Sequence, residues 1–113
     1  MEFFEKQIST KTVYQGRIVN VRNDIAELKN GHHVPREVVE HPGGVAVVAV
    51  DDNGCVMMVR QYRYPMGEEL LEIPAGKLEY CEDHCDCAVR ELSEETGCTA
   101  DHIVFLGPIY PSP

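Results

Sequence analysis

The sequence predicts a layered domain that mixes strands with a helix, of the α/β (α+β) class. Three observations predict it. Val45 to Val50 is apolar on both of its faces, as a central strand covered by helices on each side would be. Cys85, Ala88, Val89, Leu92 and Thr96 recur at helical spacing between Asp83 and Gly97, which predicts a helix over about 83–96. The first forty residues carry strand and turn signals instead of a helical period. A length of 113 residues suits one domain, and 43% apolar residues suffice to bury a core, unlike a disordered chain.

Taken in order, Lys29-Asn30-Gly31-His32 holds an Asn-Gly pair that tolerates positive φ, so residues 17–28 and 33–40 read as a hairpin around it. Gly43-Gly44 introduces the run 45–50, and Asp51-Asp52-Asn53-Gly54 turns it into Cys55-Val56-Met57-Met58-Val59-Arg60. That is the strongest hairpin signal in the chain. Residues 61–69 read as a polar connection with a proline and a glycine, 70–73 as a short strand ended by Pro74, and Ala75 onward as a loop. Cys85 and Val89 are expected to face the core, with Gly97 stopping the helix. Ile103 to Leu106 reads as one more strand. A single helix cannot cover both faces of such a sheet, so the layered reading implies a further layer.

The charge is −9, and all of it sits in one block: residues 1–67 balance eight acids with eight bases, 68–101 hold eleven acids and two bases, and 102–113 hold neither. Nucleic acid is an improbable partner, because phosphate binding draws its affinity from clustered Lys and Arg. An acidic block favours a cation. The run 45–50 is far short of the roughly 20 apolar residues that cross a bilayer, so neither a membrane span nor a membrane partner is expected. The N-terminus, MEFFEKQIST, lacks a basic region followed by an apolar one, as a secretory signal would have. Five cysteines, four of them between 81 and 98, make a poor disulfide framework. Free thiols in a cytoplasmic, reducing compartment are the expectation.

Glu91, Glu94 and Glu95 lie three and four residues apart on the predicted helix, so their carboxylates share one side of it. The ordinary meaning of that spacing is a solvated acidic face. The sharper one is a divalent-cation site, since Mg2+ and Mn2+ prefer hard oxygen ligands shared with substrate phosphates. The wider spacing favours the second: Gly76, five residues, Glu82, seven residues, then Arg90-Glu91-Leu92-Ser93-Glu94-Glu95-Thr96-Gly97-Cys98. This resembles the Nudix box, G-x5-E-x7-R-E-U-x-E-E-x-G-U with U bulky and aliphatic. Every fixed polar and glycine position is present, and Cys98 at the final U departs from it. Arg60-Gln61-Tyr62-Arg63, Leu71-Glu72-Ile73-Pro74-Ala75-Gly76-Lys77 and Arg36-Glu37-Val38-Val39-Glu40-His41 resemble the ADP-ribose pyrophosphatase branch. So does Pro113 in Tyr110-Pro111-Ser112-Pro113, where that branch has a Ser-Pro turn.

The resemblance implies an α/β/α sandwich with a mixed sheet in 42–113, preceded by a strand-rich dimerisation region in 1–41. It implies Glu91 and Glu95 as main metal ligands, with Glu94 a ligand or a contributor to water activation and the Ala75 carbonyl an additional donor. Glu82 would steady loop and helix, Arg90 would orient the carboxylates, and Gly76 and Gly97 would shape the box. Arg63 and Arg60 would meet substrate phosphate. Arg36 and Glu37 would lie near the adenosine end, in a neighbouring subunit's site. The implied reaction is Mg2+-dependent hydrolysis, with Mn2+ able to substitute, of ADP-ribose or a related nucleoside diphosphate sugar to AMP and ribose 5-phosphate.

Family members continue past the Ser-Pro turn, so the chain is expected to be the leading part of a longer domain. Its missing layer is expected from a homodimer with exchanged N-terminal strands. The rival reading is a catalytically weak or inert module that binds metal or nucleotide sugar, or merely assembles. Two local departures stand out. Cys81 occupies a position where the family usually has glycine, which puts the loop's backbone geometry in question. Cys81, His84, Cys85 and Cys87 invite a zinc reading, yet their compact spacing matches no usual zinc knuckle. Cys55 and Cys98 read as small buried apolar residues.

Overall fold

The computed structural model describes residues 3–111, which fold as two compact units, one up to Pro42 and one from Gly43 onward. Among the described residues there are seven strands and one helix, and no helix is long and apolar enough to cross a membrane.

The first unit is a three-stranded antiparallel sheet of β1 (Lys6–Gln15), β2 (Asn20–Glu27) and β3 (His33–Glu40), in the order β1-β2-β3. Gly31, at φ +82°, makes the expected turn: the Leu28 N–H donates to the His32 carbonyl at 2.8 Å, and Glu27 pairs with His33. The β1–β2 turn needs Gly16, because a Cβ there would lie 2.6 Å from the Tyr14 ring and 2.8 Å from the Val19 carbonyl. β1 is exposed along its whole length, and Asp24 and Ala26 on β2 are the buried residues of the sheet.

In the second unit β4 (Gly44–Ala46) pairs antiparallel with β7 (Ala75–Lys77), and β5 (Val59–Arg63) with β6 (Glu68–Glu72). The helix α1 (His84–Thr96) packs on β7 and β4. The hairpin expected at 45–60 survives as a narrow neck, with a Val50–Val56 bridge and the Asp51 N–H donating to the Cys55 carbonyl at 2.9 Å. Its flanks pair elsewhere, Gly44–Ala46 with β7 and Val59–Arg63 with β6. Val48 and Val50 are consequently exposed and not central.

Other expectations need correction. Residues 61–63 belong to β5, and the connection shortens to a turn at 64–67 because Gly67 takes φ +70° and donates to the Arg63 carbonyl at 2.9 Å. The loop expected from Ala75 is instead β7: buried Pro74 ends the pairing of β6 but still accepts from the Val47 N–H at 2.8 Å, which delivers the chain alongside β4. Ile103 to Leu106 forms no strand, finding no pairing edge among the described residues, and Val104, Phe105 and Leu106 stand exposed. Cys55 is exposed and Cys98 half-buried. All five cysteines are free thiols. The turn expected at Ser112 and Pro113 lies outside the described residues.

The helix has the expected bounds but not the expected face. Cys85 and Val89 are exposed, while Cys87 and Leu92 are buried. The docked face is turned toward Cys87, Glu91 and Glu95. An apolar-periodicity reading puts carboxylates on the outside; here two of them face a strand.

Candidate active site

Both ends of α1 are set by local chemistry. Asp83, extended at φ −68° and ψ 142°, accepts from the Cys85 N–H at 2.9 Å and the Asp86 N–H at 3.2 Å, satisfying two donors that lack partners within the helix. Gly97, left-handed at φ +71°, closes the other end by donating to the Ser93 carbonyl at 2.8 Å. Cys81, in the loop before the cap, has φ +58° and is the one non-glycine residue with positive φ among those described.

Between these caps, Cys87, Glu91 and Glu95 form a stripe with spacing i, i+4, i+8 that meets Lys77, Gly76 and Ala75 of β7 in turn. The Cys87 thiol donates to the Lys77 carbonyl at 3.6 Å. The Glu91 carboxylate occupies the space where a side chain on Gly76 would stand. Glu95 Oε2 accepts from the Ala75 N–H at 3.2 Å. Gly76 is thus required by close approach and not by a turn: only a residue without Cβ leaves room for a carboxylate beside the strand backbone.

Arg90 fastens this seam. Its Nη2 donates to Glu82 Oε1 at 2.8 Å and to the Lys77 carbonyl at 3.1 Å, and its Nη1 to Glu91 Oε1 at 2.9 Å and Glu94 Oε2 at 3.2 Å. One guanidinium therefore ties the loop, the strand and two helix carboxylates together. The Glu82 side chain is 12% exposed, and the Arg90 hydrogen bonds hold its carboxyl below the usual range. Reciprocally, Glu82 above all holds the Arg90 guanidinium charged. The Glu94 side chain, 58% exposed, reaches toward solvent.

The remaining predicted residues stand on β5 and β3. Arg63 shares the inner face of the β5–β6 hairpin with Glu72 and makes a two-pronged pair with it, Nε to Oε2 at 2.8 Å and Nη2 to Oε1 at 2.9 Å. Glu95 lies close enough to contribute to holding Arg63 charged. Arg60, three residues back on the same strand, projects to the opposite, exposed face. In the first unit, Arg36 on β3 is engaged bidentately by Glu5 at 2.9 and 2.8 Å, and Glu37 is exposed beside it.

Sequence reasoning missed Cys87, the third member of the stripe, and did not name Asp83 as the cap of the helix. The capping was legible, as an Asp immediately before a helical period; Cys87 was not, because its apolar neighbours pointed to another face. The carboxylate oxygens of Glu91, Glu94 and Glu95 are hard donors, which fits Mg2+ or Mn2+ by ligand chemistry. Among the described residues, no three His, Cys, Asp or Glu side chains converge as a ready-made cage. Arg90 offsets part of the carboxylates' negative charge.

Residues 40–113 match the NUDIX domain model, and residues 5–39 match the nucleoside diphosphate sugar hydrolase N-terminal domain. The chain is 44% identical over 109 residues to the ADP-ribose pyrophosphatase of Bacillus subtilis (strain 168), covering 96% of this chain and 59% of that protein. It is 45% identical over 111 residues to the methanol dehydrogenase activator of Bacillus methanolicus, covering 98% of this chain and 60% of that one. It thus spans about three-fifths of the length of these curated relatives. A solved structure described as an ADP compounds hydrolase superposes with a TM-score of 0.78 at 25% identity, over 91% of this chain and 56% of the other. With Gly76, Glu91 and Glu95 meeting along one helix–strand seam that Arg90 fastens, and with residues 40–113 matched by the model, the chain belongs to the NUDIX domain family.

Proposed function

We propose that this chain carries the metal-binding and water-activating part of a hydrolase that cleaves the pyrophosphate of ADP-ribose, or a related nucleoside diphosphate sugar, to AMP and ribose 5-phosphate. The observation that carries the reading is the pair Glu91 and Glu95, set one turn apart against β7. The names of the relatives support the substrate class.

In this reading Glu91 and Glu95, with Glu94 and the Ala75 carbonyl, hold Mg2+ or Mn2+. Such a cation lowers the pKa of water, offsets diphosphate charge and stabilises the leaving phosphate. Arg90 keeps Glu91 and Glu94 oriented and lessens their mutual repulsion before a cation arrives. Glu94, with its side chain 58% exposed, would take a proton from water. Arg63, already fixed by Glu72 and electrostatically coupled to Glu95, is the inner-face cation for a substrate phosphate. Arg60, on the other face, would serve a phosphate only from a different direction. The exposed strands of the first unit, with Arg36 and Glu37 on β3, are the element that a homodimer would exchange to reach the adenosine end. Free thiols suit a cytoplasmic protein.

The test is AMP release from ADP-ribose with Mg2+, comparing the chain with Glu94→Gln and Glu95→Gln. Each substitution is expected to lower the rate by about a hundredfold or more, the scale on which essential electrostatic groups act. Equal rates in all three proteins would sink the mechanism. The second reading is a module that binds metal without turnover. Metal binding without AMP release would select it.

A further inference from the structure

We propose that Cys87, outside the fixed positions of the box, is a positioning residue for the carboxylate pair. Its thiol locks the first turn of α1 onto β7 and so sets the distance from Glu91 and Glu95 to the strand. The inference rests on the metal-site reading above.

The helix meets the strand at three points. Two of them, Glu91 on Gly76 and Glu95 on the Ala75 N–H, are made by groups that a cation would recruit. The third, Cys87 on the Lys77 carbonyl, is made by a group outside the proposed cation ligands. Cys87 is fully buried. Its thiol donates to the Lys77 carbonyl at 3.6 Å, and its sulfur accepts from Arg90 Nη2 at 3.6 Å. Arg90 Nη2 bonds that same carbonyl at 3.1 Å, so thiol, guanidinium and carbonyl form a closed triangle. The Glu82 carboxylate lies in the electrostatic neighbourhood of the thiol. Burial, with Glu82 beside it, pushes the Cys87 thiol up, so at neutral pH it stays protonated and able to donate. Alanine would fit the space but offer neither donor nor acceptor. Serine would offer both.

Mn2+ titration of the full chain, followed by its electron paramagnetic resonance signal, tests this without reference to turnover. Cys87→Ala is expected to weaken Mn2+ binding about three- to tenfold, at or below the low end of what groups behind metal ligands contribute. Cys87→Ser is expected to restore affinity to within about twofold of the original, since the donor is back. Equal affinity in Cys87→Ala and the unaltered chain overturns the proposal and leaves the metal site standing. Failure of the unaltered chain to bind Mn2+ removes both. If Cys87→Ala does not fold, maleimide labelling of the unaltered chain, read cysteine by cysteine in a mass spectrometer, decides. Saturating Mn2+ should slow labelling of Cys87 at least severalfold while leaving exposed Cys55 and Cys85 unchanged. Indifference of Cys87 to Mn2+ overturns the proposal.

Discussion

Arg22 in the first unit and Arg90 in the second are built from the same parts and differ in what they join. Arg22 pairs with Asp24, two residues away on the same strand, and with Glu40 across the ladder. All of its partners lie on one sheet. Arg90 takes Glu82 from a loop, Lys77 from a strand, and Glu91 and Glu94 from its own helix. An ion pair on a sheet joins strands that the backbone ladder already holds, so it sets no spacing between separate elements. One that spans three elements fixes a spacing that no backbone hydrogen bond sets.

The comparison breaks first at the arginines. Arg90→Ala should weaken Mn2+ binding about 10- to 100-fold, the range seen when a group orienting metal ligands is removed. Arg22→Ala should leave Mn2+ affinity unchanged, as measured in the same titration. If both variants bind equally, the distinction between the two arginines is empty.

Two glycines sharpen it next. Gly44→Ala would place a Cβ 2.7 Å from the Gly76 carbonyl, a backbone atom that must move, so β4 and β7 part and stability falls by about 1–3 kcal/mol in denaturant titration. Gly76→Ala would instead strike the Glu91 carboxylate, the far end of a flexible side chain. It should spare stability relative to Gly44→Ala and weaken Mn2+ binding about tenfold.

The pH dependence of stability follows from Glu82, whose folded carboxyl titrates below its unfolded value of about 4.3. A depressed carboxyl contributes stability that is present above the unfolded value and lost as pH falls through the folded one. Glu82→Gln should therefore be less stable than the original chain at pH 7, with the gap closing on acidification below about pH 4. Denaturant midpoints at a series of pH values would show it. A gap that widens toward acid would refute the assignment.

The smallest effect belongs to Cys81. A non-glycine residue at φ +58° carries a steric cost of about 1 kcal/mol. Cys81→Gly should recover part of it, a few tenths to 1 kcal/mol, because glycine also gains freedom in the unfolded chain. Thermal melting would register a rise of a few degrees at most.

Parts of this molecule were legible residue by residue. Asp83 and Gly97 bracket α1 as their chemistry requires, because caps act within a few residues. The Asn30-Gly31 turn held for the same reason. The reading failed where partners are remote. Residues 75–77 carry no strand signal of their own and became β7 because β4 was there to pair with them. The apolar run at 45–50 carried a strong strand signal yet paired over only part of its length.

By itself, then, the sequence determined the class of the fold, the ends of the helix and the family motif from Gly76 to Gly97, since that spacing is read along the chain regardless of how its residues pack. Tertiary structure alone decided which side of α1 faces the strand, that Arg63 and Arg60 part company across β5, and that Cys87 joins Glu91 and Glu95. The physical reason is one of range. Caps, turns and periodicity are fixed by neighbours in the chain, whereas the face a helix docks is chosen by the surface it meets, and here that surface is a glycine-bearing strand with room for a carboxylate.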